Sequence, residues 1–290
     1  MSLRERLPPA VKRFLLETPA GRGLLVLPRL LLALCRSGTF SSPRMALVWA
    51  FASRDIAPRT YHTTKLNQEE LCWTVSVVSG VAVETVMGYC EELLNDAELA
   101  ESLRLGVSES PERWSHDPDY RPGRRLAGYL MTRSLRPRRV IEVGVDRGFG
   151  AMILCRALTR NAADGFPGEY VGIDRKAADS AFLYHRFPGR LGRLEHGDAA
   201  EILRGLPGEG SLIVHDTGTD PAPLAAFIAA VEAILAEDTV LLSSWVRPEF
   251  MELARRRNLV FLSHKDRPLG HWTPGSRLSF LFPRLPSHSP

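Results

Sequence analysis

The second half of the chain alternates short, β-branched apolar runs with segments of helical length. Seven of these runs are predicted as strands: residues 139–144, 169–174, 191–196, 211–216, 238–244, 258–263 and 277–282. Continuous apolar runs of this kind are typical of a mainly parallel sheet that helices cover on both faces. Residues 264–276, between the last two runs, carry two prolines and two glycines and no helical pattern. We therefore expect the sheet to end in an antiparallel hairpin.

The first half of the chain shows helical patterns instead. From residue 3 to residue 35, apolar residues recur at helical spacing with basic residues between them, which predicts one or two basic amphipathic helices broken near residues 19–23. Residues 66–104 continue in helical style, with Asn67 as the predicted N-cap. The polar stretch 106–123 is interpreted as a linker. The expected organisation is a helical region, 1–112, followed by an α/β domain, 113–286.

The basic helices at the start of the chain have several candidate roles. They could pack on their own protein, cover the active site, form a homodimer contact or lie peripherally on a membrane. We expect no transmembrane segment, because the apolar stretch 23–35 contains Pro28 and Arg29 and is shorter than the roughly 20 residues a span requires. Arg22 and Arg29 also interrupt the pattern of a signal peptide.

Charge and cysteine content exclude several classes of protein. The 37 basic and 33 acidic residues give a formal charge of +4, too small and scattered an excess to predict nucleic-acid binding. The four cysteines form no C-x-x-C pair and have no histidine partner at zinc-finger spacing, which favours a reducing, cytoplasmic setting. The sequence contains no P-loop, G-x-S-x-G or H-E-x-x-H motif.

The most informative stretch is residues 140–150, VIEVGVDRGFG, where a strand runs into a glycine-bearing turn and a helix. Glycine allows the tight turn and a close approach of ligand, while the helix N-terminus presents free N–H groups. Glu142, Gly144 and Gly148 resemble the first motif of class I S-adenosylmethionine (SAM) methyltransferases, an acidic residue followed by G-x-G-x-G. Asp146 replaces the middle glycine, as in the looser E-x-G-x-x-x-G form of small-molecule methyltransferases related to cephalosporin- and macrolide-modifying enzymes. The resemblance implies that these four residues bind the cofactor.

Three further residues fit the same cofactor. Asp174 ends a predicted strand, and the resemblance assigns it to the ribose hydroxyls, although it could simply cap the next helix. Asp198 follows the third strand and is assigned to the adenine amino group, a role compatible with capping a helix. Arg121 lies in a segment that resembles the one closing over the methionine end, where it could pair with the carboxylate or belong to a solvated linker.

The fourth strand brings His215 and Asp216 to the carboxyl edge of the sheet, where ligands bind in open α/β folds. His215 is a candidate general base because its ordinary pKa is near 6.5, but it could also only orient Asp216 or fill space. Asp216 and Asp220 could hold Mg²⁺, as carboxylates do in some related O-methyltransferases. The next strand ends in Ser243-Ser244-Trp245, without an acidic residue, which favours metal independence.

The resemblance implies a Rossmann-like, doubly wound, mainly parallel seven-stranded sheet. It also implies transfer of the SAM methyl group to an oxygen or nitrogen of a small molecule. The arginine-, alanine- and leucine-rich composition is typical of high-GC bacteria and suggests natural-product tailoring. Two alternatives stay open. An NAD(P)-dependent oxidoreductase would need glycine at position 146. A non-catalytic cofactor-binding or scaffold protein would retain the fold without turnover.

Overall fold

A computed structural model describes residues 18–35, 40–52, 60–110, 119–175, 181–218 and 220–283, together with residues 8, 10, 11, 14 and 15. Six helices precede the sheet in these ranges: α1 (Pro19–Cys35), α2 (Pro43–Ala52), α3 (Lys65–Ser79), α4 (Val83–Leu94), α5 (Ala97–Glu109) and α6 (Arg125–Leu135). The strands are β1 (Arg139–Val143), β2 (Glu169–Asp174), β3 (Arg193–His196), β4 (Ser211–His215), β5 (Val240–Ser243), β6 (Leu259–Lys265) and β7 (Arg277–Pro283). Between them lie α7 (Phe149–Ala163), α8 (Phe182–Arg186), α9 (Ala199–Arg204), α10 (Pro221–Ile234) and α11 (Pro248–Arg256).

The strands of the described chain form one sheet in the order β3-β2-β1-β4-β5-β7-β6. β1 to β5 run parallel, and β7 pairs antiparallel with both β5 and β6. All seven predicted strands are therefore confirmed, with boundaries within two residues of the prediction. The predicted Rossmann-like fold and its antiparallel C-terminal hairpin are confirmed as well.

Two apolar layers cover the two faces of the sheet. One face packs against residues of α3 to α8, including Leu71, Leu130 and Leu183. The other packs against α9, α10 and α11, through residues such as Leu203 and Phe250. Buried apolar residues between positions 71 and 107 thus share a core with the sheet. The division into regions at 112/113 stays a prediction, and residues 111–118 lie outside the described ranges.

The start of α3 differs from the prediction. Asn67 is not its N-cap, because Thr64 takes that place and its side chain accepts the N–H of Asn67. The Asn67 side chain crosses to the loop after β6 instead, donating to the carbonyl of Lys265 at 2.9 Å and accepting the N–H of Arg267 at 2.8 Å. A residue placed one turn into the helix therefore joins two distant segments rather than capping its own helix.

The predicted linker also starts too early. Helix α5 continues through Gly106 to Glu109. Gly106 is buried, and a Cβ atom there would lie 3.0 Å from the Leu183 side chain. Glycine at this position therefore allows α5 to pack against α8 rather than ending the helix.

Helices α1 and α2 are attached to the connection between β6 and β7. The rings of Trp49 and Trp272 lie 5.5 Å apart, and Phe40 packs against both. The Ser41 N–H donates to the carbonyl of Trp272 at 2.8 Å, and its hydroxyl donates to that of His271 at 2.9 Å. His271 and Trp272 thus pack against the N-terminal helices. The predicted break near residues 19–23 is wrong in part, since α1 begins at Pro19 and runs on through Gly21, Gly23 and Pro28.

A buried hydroxyl–carboxyl pair forms a second attachment. The Tyr61 hydroxyl donates to Asp266 at 2.5 Å and accepts the N–H of Ser276 at 3.1 Å. Burial raises the pKa of Asp266 to about 6. The carboxyl group thus depends on its donors for the polar contacts that water would otherwise supply.

Tyr61→Phe removes a donor from this buried carboxyl group. We expect the free energy of unfolding to fall by about 1–3 kcal/mol, the usual cost of leaving a buried polar group without its partner. Urea unfolding followed by circular dichroism measures the change. Tyr89→Phe is the matched control, because it keeps the ring that lies 4.4 Å from the Arg133 guanidinium. Equal stability of the two variants would contradict this role of Tyr61.

Candidate active site

An open cleft lies at the carboxyl edge of β1 to β4. Its empty volume is about 850 Å³, with the open mouth included. From β1, the strands β2 and β3 follow on one side of the sheet, and β4 and β5 follow on the other side. The direction of strand order therefore reverses between β1 and β4, and open α/β sheets bind ligands at such switch points. Side chains and backbone of the strand ends and of α9 and α10 line it, among them Gly144, Asp174, Asp198, His215, Thr217, Asp220 and Phe227.

Two glycines shape the turn after β1. Gly144 lines the cleft with φ +96°, and a Cβ atom there would lie 2.8 Å from the carbonyl oxygen of Asp216. Gly148 has φ +88°, and its Cβ would lie 2.6 Å from the backbone nitrogen of Tyr184. Both positions combine a left-handed backbone with close approach of a second segment. Residues with side chains are therefore excluded on two independent grounds.

Asp146 stands where the resemblance places a middle glycine. Its φ is +49°, in the left-handed region that aspartate tolerates better than most residues. Its backbone N–H donates to the Asp174 carboxylate at 2.8 Å. The backbone at Asp146 thus has a left-handed conformation that glycine would adopt without strain. It also ties the turn after β1 to the end of β2.

Asp174 and Asp198 both line the cleft. Asp198 caps α9, since its Oδ1 accepts the N–H groups of Ala200 at 2.9 Å and Glu201 at 3.3 Å. Arg175 approaches its other oxygen at 3.6 Å. The capping role considered for Asp198 is therefore observed, and the same residue remains at the cleft surface. Whether these aspartates bind a cofactor stays a prediction.

Glu142 lies beneath the turn rather than in the cleft. Its side chain is buried and accepts the Tyr170 hydroxyl at 2.5 Å. A Cβ on Gly150 would lie 2.1 Å from Glu142 Oε1, so the carboxyl group rests directly on the start of α7. Burial raises the pKa of Glu142 to about 8. Glu142 is therefore mostly protonated at neutral pH.

A second, narrower cavity lies on the other face of β1 and β4, with an empty volume of about 350 Å³. Arg124, Arg125, Glu142, Asp216 and Ser244 are among its lining residues. Arg124 and Asp216 form an ion pair in which both side chains are almost fully buried. Since helix α6 begins directly after Arg124, its start brings these two arginines to the sheet edge.

The predicted contact of Arg121 with the methionine carboxylate stays a prediction. Arg121 pairs with Asp119 at 2.9 Å and lines neither of the two cavities described here. All three arginines belong to one basic run, residues 121–125, and the start of α6 decides which of them reach the sheet edge. Arg124 and Arg125, by contrast, line the second cavity.

His215 and Asp216 line different cavities. Neighbouring positions of an extended chain point to opposite faces, and His215 lines the cleft while Asp216 lines the second cavity. The imidazole is buried; its centre lies 4.4 Å from that of the Phe227 ring, tilted by 32°, and its Nδ1 lies 3.1 Å from the Ser243 hydroxyl. Burial lowers the pKa of His215 to about 4. The ring is therefore neutral at pH 7 and a weak base.

The two aspartates considered for Mg²⁺ also separate. Asp216 is paired with Arg124 in the second cavity, whereas Asp220 lies at the start of α10 in the cleft. Within the described ranges, no three or more histidine, cysteine or acidic side chains are grouped so that they could hold a metal ion. Metal independence stays a prediction, and Arg124 supplies the positive charge beside Asp216.

Residues 141–243 match a family described as "Methyltransferase domain". This part of the chain is therefore similar to methyltransferase domains. The matched region runs from β1 to β5 and includes Gly144, Asp174 and Asp198. Its strand order agrees with the class I methyltransferase fold that the first motif implied. No curated protein matches the chain in sequence.

Several solved structures are similar to the domain at low identity. They include the O-methyltransferase TomG from Streptomyces achromogenes, involved in tomaymycin synthesis and solved with SAM (18% identity, 69% of this chain, 96% of that chain, TM-score 0.45). Another is the O-methyltransferase from Bacillus cereus with S-adenosylhomocysteine (14%, 73%, 99%, 0.45). A third is the methyltransferase PaMTH1 from Podospora anserina with S-adenosylhomocysteine (15%, 70%, 95%, 0.45). Similarity at this level does not identify the methyl acceptor of this chain.

Substitutions at Asp146 test the left-handed turn. Asp146→Gly should leave the free energy of unfolding within about 0.5 kcal/mol of the wild type, because glycine adopts this backbone freely. Asp146→Val should lower it by about 1–2 kcal/mol, since a β-branched residue is strained there. Chemical unfolding of both variants measures the difference. If valine is tolerated as well as glycine, the turn does not have this conformation.

His215 should contribute to acid sensitivity. Its folded-state pKa of about 4 is below the ordinary value of 6.5, so between these pH values the unfolded chain binds a proton that the folded chain does not. Stability should therefore fall as the pH drops from about 6.5 to 4, and His215→Gln should flatten part of that slope. Thermal unfolding across this range measures it. The exposed His185→Gln is the control, and an equal effect of both changes would exclude burial of His215 as the cause.

Proposed function

We propose that the protein is a SAM-dependent methyltransferase that methylates an oxygen, or a nitrogen, of a small molecule. The observation that carries the proposal is the cleft at the switch point of the sheet, where Gly144, Asp174 and Asp198 come together within a matched methyltransferase domain.

The lining residues suit the adenosine part of SAM. Asp174 offers a carboxylate at the strand end, where it can accept ribose hydroxyls, and the Asp146 N–H fixes its orientation. Asp198 is held by α9 and offers a further acceptor. The buried Nε2 of His215 has no hydrogen-bond partner in the described part of the chain, although the residue lines the cleft. A polar ligand group would satisfy it.

The arginines of the second cavity suit the other end of SAM. Arg124 and Arg125 line a cavity at the same sheet edge, and a guanidinium group pairs well with a carboxylate. We assign the methionine carboxylate to this pair of residues, in place of Arg121. The Arg124–Asp216 ion pair limits movement of the guanidinium and supports its role as a fixed group.

When bound, SAM supplies an electrophilic methyl group on its sulfonium. The protein then needs to align donor and acceptor, exclude water and receive a proton. We do not assign the proton to His215, because a pKa of about 4 makes its imidazole a weak base at neutral pH. Asp216 is a carboxylate held in an ion pair with Arg124 and is no stronger a base, so we assign the proton to neither residue. We propose that turnover needs no divalent metal.

The proposed acceptor of the methyl group is a small molecule. A basic tail or RNA-binding motif is not recognised in the sequence, which supports a small molecule. We place the reaction in bacterial secondary metabolism on the strength of the composition. Methylation of an acceptor panel in the presence of EDTA and in the presence of Mg²⁺ tests metal independence, and turnover that requires Mg²⁺ would overturn it.

Calorimetric titration with SAM and with NADH tests the cofactor assignment. We expect micromolar binding of SAM, no binding of NADH, and a loss of about 10- to 100-fold in SAM affinity for Asp174→Ala, the usual effect of removing a charged hydrogen-bond acceptor. Glu209→Ala is the matched control, because Glu209 precedes β4 and therefore lies at the opposite edge of the sheet. Absence of SAM binding, or binding of NADH alone, would overturn the methyltransferase function.

A further inference from the structure

The exposed face of α1 is entirely apolar. Its exposed positions recur at helical spacing and are all proline, alanine, glycine or leucine: 19, 20, 23, 24, 27, 28, 31 and 32. Leu24 and Leu27 are 65% and 67% exposed. Arg29, by contrast, is buried, donates to the Ala50 carbonyl at 3.4 Å and lies over the Trp49 ring. Since Leu30 and Ala33 are also turned inward, α1 is apolar on both sides, whereas the exposed side of a surface helix is usually polar.

Helix α2 continues this surface. Leu47, Val48 and Phe51 are exposed, while Trp49 and Ala50 are buried against the rest of the protein. Helices α1 and α2 pack on each other as a hairpin. The apolar face of the hairpin consists of Leu24, Leu27, Leu31, Leu32, Leu47, Val48 and Phe51. Contiguous apolar surface of this kind marks a site where a protein meets a partner or a membrane.

The charge of the hairpin favours a membrane over a protein partner. Residues 18–52 contain four arginines and no acidic residue, so the segment is positively charged even when the buried Arg29 is left out. Arg44 is exposed beside the apolar face. A second copy of the chain would bring arginines toward arginines. Anionic lipid headgroups would neutralise them and leave the apolar side chains to enter the interface.

The dimensions fit a helix that lies on a bilayer. With 17 residues, α1 is about 25 Å long, shorter than the roughly 30 Å hydrocarbon core. None of the described helices is long and apolar enough to cross a membrane. We propose that the α1–α2 hairpin is a docking surface for an anionic lipid bilayer, with its leucines and Phe51 inserted at the headgroup boundary. This inference is independent of methyl transfer.

Vesicle co-sedimentation of the full chain tests the proposal. We expect binding to vesicles of phosphatidylcholine and phosphatidylglycerol, and much weaker binding to phosphatidylcholine alone. The double variant Leu27→Glu/Phe51→Glu should lose at least 10-fold in affinity. Arg44→Gln should lose about 5-fold, and only for the anionic vesicles. Leu105→Glu is the control, because Leu105 is 49% exposed on α5, outside the hairpin.

Three results would overturn the proposal. One is failure of the wild type to bind anionic vesicles, or equal binding to both kinds of vesicle. Another is an equal loss in the Leu105→Glu control. The third is a dimer, seen by light scattering, that Leu27→Glu/Phe51→Glu converts to monomer, which would assign the face to a second copy. Unchanged circular dichroism confirms that the variants are folded, and Arg44→Gln gives an independent readout if the double variant is not.

Discussion

The close approach of the turn after β1 to the start of the loop after β4 determines the geometry of the site. The Asp216 N–H donates to the Val143 carbonyl at 2.8 Å, and Gly144 leaves no room for a side chain against the Asp216 carbonyl. This contact holds the two central strands together at their carboxyl ends. The cleft on one face and the Arg124 cavity on the other both open from this point, so each depends on the same backbone contact.

Burial acts in opposite directions on the pKa values of Glu142 and His215, which precede the two contacting residues Val143 and Asp216 in sequence. It raises the pKa of Glu142 to about 8 and lowers that of His215 to about 4. Both groups are therefore mainly uncharged at pH 7. The Arg124–Asp216 pair is buried as well, but its two opposite charges lie side by side. Asp174 and Asp198 line the open cleft, so theirs are the carboxyl groups that a ligand in the cleft would meet.

Most of the sheet could be predicted from the sequence because each strand is a separate apolar run with polar ends. The turn at Asp146 could be placed, but its left-handed backbone could not, since aspartate occurs in many other conformations. The separation of His215 from Asp216 follows from strand alternation and could have been foreseen. That Arg124 rather than Arg121 lines the second cavity depends on where α6 begins, and helix starts depend on tertiary contacts as well as on local sequence. The stripe on α1 was visible, but periodicity does not tell which side faces the protein.

The attachment of the N-terminal helices has a consequence for the order of folding. Ser41 bonds to His271, 230 positions later, and Tyr61 bonds to Asp266, 205 positions later. Contacts between such distant positions close large loops and form late. During synthesis the early helices emerge long before their binding site on the β6–β7 connection exists. The inward-facing Trp49 and Arg29 are then exposed together with the leucines. The nascent chain therefore exposes more apolar surface than the folded protein does. The hairpin of β6 and β7, which is made last, completes the packing of the first helices.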